Sequence, residues 1–328
     1  MRDMSIDESA SISGYLSAGG IAVTDVSSLA GAILWMGAVF VGELATTVEQ
    51  ALALAALVLV PLGMGMAATP PFGEVSRRPY RAAVLGQPVG AFFFLVSLVL
   101  PSDGPGAAVA AVPWVVVTGL LGLAALARTH DRGPWPLSET VIDAGFAYSI
   151  VGAVALVLYQ LDITFWFEPI IILLTAVHFH FAGFVLPVLT GLAGRVLGDR
   201  AGTEFRVLVG VILFGPAFIA IGISFSPVVE VLAVGGFTVA IAVLGGYITI
   251  RIVPGRPRLQ GVLVAVSSLV LPVSMLLALG YGIGTFTEAN LLGLSISRMI
   301  TLHGVLNAYG FALLGTVGWR LAVPNANG

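Results

Sequence analysis

The chain has 328 residues, of which 58% are hydrophobic and 9% charged, and its formal net charge is −3. Soluble domains carry roughly 25% charged residues. A surface this apolar excludes a water-soluble globule, and the mean hydropathy of +1.04 places most of the length in a lipid bilayer. At about 20 apolar residues per spanning helix, the chain has room for nine to eleven spans and none for a soluble catalytic domain. Nucleic-acid binding, Walker-type ATP hydrolysis and cytosolic chemistry on large substrates are therefore disfavoured. There is no cysteine, which removes disulfides, thiolate zinc sites and cysteine-held iron–sulfur clusters. All 14 basic residues are Arg; without Lys there is no Schiff base and no retinal-type pigment.

Residues 1–26 are acidic and rich in Ser and Gly, so they read as a mobile tail rather than a signal peptide. Residues 27–320 read as an all-α, polytopic membrane bundle, with 321–328 a short C-terminal tail. Long apolar runs predict ten spans: Ser27–Val41, Ala51–Ala68, Ala82–Leu100, Ala107–Leu126, Val141–Tyr159, Pro169–Leu189, Phe205–Ser224, Val228–Ile248, Leu259–Tyr281 and Ile296–Trp319. The runs are continuous, without the alternation of a membrane barrel, and helices satisfy their own backbone in hydrocarbon.

Charge supplies an independent test. The even loops and the termini hold Arg2, Arg77, Arg78, Arg81, Arg128, Arg132, Arg195, Arg200, Arg206, Arg251, Arg256, Arg258 and Arg320. The odd loops hold Glu43, Glu49, Asp103, Asp162, Glu168 and Glu288, and no Arg. The positive-inside rule then predicts a cell-membrane protein with both termini cytoplasmic. Six spans contain proline (Pro61, Pro88, Pro113, Pro187, Pro216, Pro272), which neighbouring membrane helices accommodate. No internal repeat is visible.

Ionisable groups in the bilayer core are costly and mark candidate sites. His130 falls in a polar loop and reads as solvated. His178 and His180 lie in the sixth span and His303 in the tenth. Counted from Pro169, the first two are roughly 14–17 Å deep, and His303 is roughly 10 Å from Ile296, at 1.5 Å per residue. Residues two apart on a helix point about 200° apart, so a continuous helix turns only one of His178 and His180 toward His303. His303, Asn307 and Gly310 share a face, with Gly310 leaving space for a ligand or a close helix. Arg298 breaks the charge rule and sits a turn outward of His303, where Glu288, Glu168 or an anionic substrate neutralises it. The candidate ligand-binding set is thus His178, His180, His303, Asn307 and Arg298, with the three His as candidate metal ligands. Glu230 and Asp143 read as first-turn carboxylates complementing helix N-termini, Glu43 and Glu49 as interfacial, and Phe179, Phe181 and Phe184 as packing.

Two motifs carry a resemblance. Thr175-Ala176-Val177-His178-Phe179-His180-Phe181-Ala182-Gly183-Phe184 and Leu302-His303-Gly304-Val305-Leu306-Asn307-Ala308 resemble segments of the YndJ-like family of multi-pass membrane proteins. That resemblance implies a polytopic, transporter-like membrane protein and leaves the mechanism open. His178-Phe179-His180 also looks like the His-Phe-His of haem–copper oxidase subunit I, which implies imidazoles facing opposite sides of one helix toward different haems. Such an oxidase needs six His ligands, so only a single haem b between two helices is compatible here.

Three functions remain. One is an intramembrane His site on the sixth and tenth helices that binds a transition metal, haem b or a small lipophilic substrate. Another is a secondary transporter of a small anion or protonatable solute using the same midplane residues. In the third, the His residues are interhelical hydrogen bonds in a structural or assembly protein. The expected partners are the lipid bilayer and a small lipophilic or anionic substrate, with no nucleic acid.

Overall fold

A computed structural model describes residues 16–18, 20–68, 72–101, 105–289 and 292–325. Among them, ten helices are long and apolar enough to cross a membrane. They are α1 (Val23–Val41), α2 (Thr47–Ala67), α3 (Glu74–Val99), α4 (Pro105–Arg132), α5 (Leu137–Gln160), α6 (Pro169–Arg200), α7 (Thr203–Phe225), α8 (Pro227–Gly255), α9 (Arg258–Thr287) and α10 (Ile296–Leu321). The only other regular structure described is a pair of two-residue strands, Ser17–Ala18 and Ile21–Ala22, joined antiparallel ahead of α1. The expected residues Arg2 and Asp103 lie outside the described residues.

Each apolar run of the sequence matches one helix, Ala68 and Leu100 alone lying one residue past a helix end, and most helices run further. α1 starts four residues earlier than its apolar run, at Val23, because Asp25 in its first turn pairs with Arg320 at the end of α10. α4 continues to Arg132, where basic side chains complement the helix C-terminus. Local signals set several other ends. Thr46 and Glu49 close a capping box on α2, with Thr46 N donating to Glu49 Oε2 (2.8 Å) and Glu49 N to Thr46 Oγ1 (3.2 Å). Gly42 ends α1 in the left-handed conformation at φ 85°. Ser226 caps α8 ahead of Pro227 and the first-turn Glu230.

α2 forms the centre of the bundle. Its span is 89% buried, against 17% for α1, and it packs on α1, α3, α6 and α10. Three helices widen into a π turn two residues before a proline: Ala55–Leu59 before Pro61, Phe181–Val185 before Pro187, and Ile248–Ile252 before Pro254. Proline lacks an N–H and its ring crowds the preceding turn, and a wider turn relieves both. In α2 the loosened carbonyls become docking points. Gln87 Nε2 donates to Ala56 O (2.9 Å) and Ser28 Oγ to Val58 O (3.2 Å). Gly31 sits directly on Leu57 O, where a Cβ would lie 2.0 Å away. Two neighbours are thereby fixed to the central helix.

The Arg-rich ends of the helices are tied by buried ions. Glu139 on α5 accepts from Arg195 Nε (2.6 Å) on α6 and from Arg128 Nη2 (2.7 Å) on α4. Asp143 pairs with Arg128 (3.1 Å) and Arg132 (3.0 Å), so its carboxylate holds α4 rather than only complementing its own helix terminus. Arg195 Nη1 also donates to Met66 O (2.9 Å) at the end of α2. α6 is thus anchored at this end, and the stretch bearing His178 and His180 extends toward the other.

Candidate functional site

Pro169 starts α6 at the Arg-poor end, and Ser295, accepting from Arg298 N (3.2 Å), starts α10 there. The two helices descend from the same side and meet between the π turn of α6 and the wide-turned stretch Leu306–Leu313 of α10. His178 and His303 come together at matched depth, their ring centroids 6.3 Å apart and their planes inclined by 33°. The segment Thr47–Leu54 of α2 packs against both helices at this level. His178 is exposed on the flank of α6, and His303 is half-buried, so the pair is open on one side and backed by protein on the other.

Hydrogen bonds select the nitrogen each ring presents. His178 Nδ1 lies 2.7 Å from Leu174 O. His303 Nδ1 lies 2.9 Å from Ser274 O on α9, and 2.9 Å from Ser274 Oγ. A carbonyl only accepts, so in each ring Nδ1 carries the hydrogen and Nε2 keeps a free lone pair. Asn307 Nδ2 donates to Ser274 Oγ (2.8 Å) and to His303 O (2.9 Å), while Ser274 Oγ donates to His303 O (3.2 Å). Asn307 therefore braces the serine that holds the ring. The Gly310 face is filled by a helix, because a Cβ there would lie 2.7 Å from Val270 Cγ1 on α9.

His180 points the other way, as the 200° spacing requires. It is fully buried. Its Nδ1 donates to Ala176 O (2.7 Å) and its Nε2 accepts from Trp114 Nε1 (2.9 Å) on α4. The ring stacks on Trp114 with centroids 6.1 Å apart and touches Phe94 at 5.5 Å. With both nitrogens occupied, His180 has no lone pair for a ligand. Among the described residues no group of three or more His, Asp or Glu is placed to hold a metal ion. The three imidazoles thus divide into an open pair and an interhelical hydrogen bond.

Arg298 does not join the pair. Its Nη1 donates to Gly293 O (2.8 Å), and no carboxylate lies within ion-pair distance of it among the described residues, Glu168 and Glu288 included. His130 is exposed beside Asp131 (3.5 Å). Phe184 stacks on Phe146 and Phe179 meets Tyr148 edge-on, which is packing. A small space of about 20 Å³ lies elsewhere, between Thr190, Gly245, Ser267 and Trp319; it has room for about one water.

The residues present fit a small ligand better than a porphyrin. α2 packs on both helices beside the pair, which leaves a macrocycle only the uncovered side. The other imidazole that the His-Phe-His pattern offered to a haem is consumed by Trp114. Ser274 and Trp114 went unremarked in the sequence. A buried Trp needs an acceptor for its N–H, so Trp114 carried a signal; Ser274 is one of several serines on α9 and carried none. Arg195 was legible only as a charge near a helix end, and Glu139 was not singled out.

Comparison with known proteins shows the family. The YndJ-like protein family profile matches residues 50–311, a stretch that contains every member of the His178, Ser274, His303 and Asn307 cluster. The chain is 31% identical over 290 residues to the uncharacterized membrane protein YndJ of Bacillus subtilis (strain 168), covering 86% of this chain and 51% of that protein. It thus spans about half the length of that curated relative. No solved structure matches. The chain belongs to the YndJ-like family of multi-pass membrane proteins.

Proposed function

We propose that this integral membrane protein binds a small ligand, a transition-metal ion by the chemistry of its donors, through His178 and His303 in the outer half of the bilayer. The observation that carries this reading is the pair of imidazoles 6.3 Å apart, each with Nδ1 tied to a backbone carbonyl. Neutral imidazole with one nitrogen fixed by a hydrogen bond is the form in which His ligates metals. Direct contact between the rings is a poor alternative. An N–H···N bond of about 3 Å holds imidazole centroids only about 5 Å apart, so the observed separation leaves room for one bridging atom. The Arg-rich ends belong in the cytoplasm by the positive-inside rule, which puts the pair nearer the outer face of the membrane.

Metal analysis and an absorbance spectrum of the purified protein test the reading, with His178→Ala and His303→Ala measured alongside. A metal ion retained by the wild type and lost from both variants is the expected result. A Soret band lost with either His would replace the ion by haem, despite the position of α2. A second reading, transport of a small solute past the same pair, is favoured by the wide turn and proline of α6, which packs on the site helix α10. It predicts solute-dependent uptake into proteoliposomes that fails in the same two variants without a retained ligand.

A further inference from the structure

We propose that a single water molecule is bound between α6, α8, α9 and α10, as a hydrogen-bonded tie from Ser268 on α9 to Thr190 on α6. The site is separate from the imidazole pair. Phe311 in its wall follows His303 by two turns of α10, about 12 Å further from the Arg-poor end at 1.5 Å per residue.

The space measures about 20 Å³, and one water needs about 10–15 Å³. Three hydroxyls border it, those of Thr190, Ser267 and Ser268, which are 1%, 3% and 8% exposed. Thr190 Oγ1 donates to Leu186 O (2.8 Å) and Ser267 Oγ to Phe311 O (2.7 Å). Each of these two has committed its hydrogen and keeps lone pairs. Ser268 is the complement, because its hydroxyl has no hydrogen-bond partner among the described residues. Its carbonyl has also lost the usual helical donor, since Pro272 on the next turn has no N–H. Gly245 of α8 packs on that carbonyl so closely that a Cβ would lie 2.2 Å away, and so position 245 puts no side chain into the space.

One water answers this set of groups. It accepts from Ser268 Oγ and donates to Thr190 Oγ1 and Ser267 Oγ, about the number of hydrogen bonds that a buried water makes. Other contents fit worse. A dry space leaves the Ser268 hydroxyl unpaired in the bilayer core, which costs more than immobilising one water; cavities that stay empty are apolar. None of the residues lining the space is ionisable, so a cation there loses its hydration with no opposing charge.

Hydroxyl-radical footprinting of the protein in nanodiscs tests the proposal, because X-ray radiolysis activates bound water and oxidises the side chains beside it. Phe311 borders the space and is 5% exposed, whereas Phe94 is fully buried against Trp114 and His180. The expected result is oxidation of Phe311 in the wild type and none of Phe94. Combining Thr190→Val with Ser268→Ala leaves one hydroxyl, too few to hold a water, and oxidation of Phe311 should fall to the level of Phe94. A wild-type Phe311 as unreactive as Phe94 overturns the proposal, as does oxidation that the double variant leaves unchanged. Should that variant fail to fold, a wild-type structure at water-resolving resolution serves instead. One peak within hydrogen-bond distance of Ser268 Oγ and Thr190 Oγ1 is expected there, and an empty space overturns the proposal. An unfolding temperature that rises saturably with Na⁺ over choline, and no longer does so in Ser268→Ala, replaces the water by a cation and overturns it as well.

Discussion

His178 and His180 are two residues apart and do opposite things. His178 is exposed with one free nitrogen, whereas His180 is sealed between α4, α5 and α6, its ring so close to Gly152 that a Cβ there would lie 2.7 Å from Nδ1. Replacing each with Ala therefore separates stability from ligand binding. His180→Ala leaves Trp114 N–H without its acceptor and opens a void, and it should cost about 2–4 kcal/mol. His178→Ala should cost less than about 1 kcal/mol, since surface changes away from tight packing rarely exceed ±0.5 kcal/mol. Thermal unfolding in detergent reads both, and a reversed order would show the roles exchanged. Much of this was legible in the sequence. Depth placed His178 level with His303, and the two-residue spacing separated it from His180. Which of the two faced His303 was not legible, because the partner that claims His180 is Trp114, 66 residues away in an apolar run that periodicity alone does not orient. Arg298 was misleading for a related reason: a short loop offers its own carbonyl, at Gly293, to a guanidinium that sequence position had placed near the site.

At the scale of elements, the π turns and the buried ions do what apolar matching alone does poorly in lipid, which is to fix one helix against another. The close approach of Gly31 to Leu57 O makes α1 sensitive to a single methyl. Gly31→Ala should shift α1 off α2 and cost about 1–3 kcal/mol; an unchanged unfolding temperature would mean that the approach is not what holds α1. Glu139 accepts from two buried Arg residues on different helices. Glu139→Ala leaves both guanidinium groups buried with less compensation, and the loss should be about 3–5 kcal/mol, seen as a fall in folded yield by size-exclusion chromatography. Hydropathy located all ten helices because a bilayer demands long apolar runs. It set their ends poorly where a charge turns inward. α6 runs to Arg200 because Arg195 is directed at Glu139 instead of at water, a choice fixed by a carboxylate 56 residues earlier.

For the whole molecule, the arrangement of Arg and the contacts between helix ends agree. Asp25 with Arg320, Glu139 with Arg128 and Arg195, and Arg195 with the last turn of α2 all join ends that a ten-span count assigns to one side. We expect that side to be cytoplasmic. In the cysteine-free chain, Asp162→Cys should react with an impermeant thiol reagent applied to intact cells, and Arg78→Cys should not; the opposite pattern would invert the orientation. The central helix and the ion pairs that tie the Arg-rich ends hold the bundle together on one side, and the imidazole pair lies toward the other. The most direct test of that account is the ligand content of the wild-type protein measured beside His303→Ala at equal folded yield. The account predicts a bound metal ion in the wild type that is absent from the variant. The same content in both, or none in either, would contradict it and leave His303 as one more interhelical hydrogen bond.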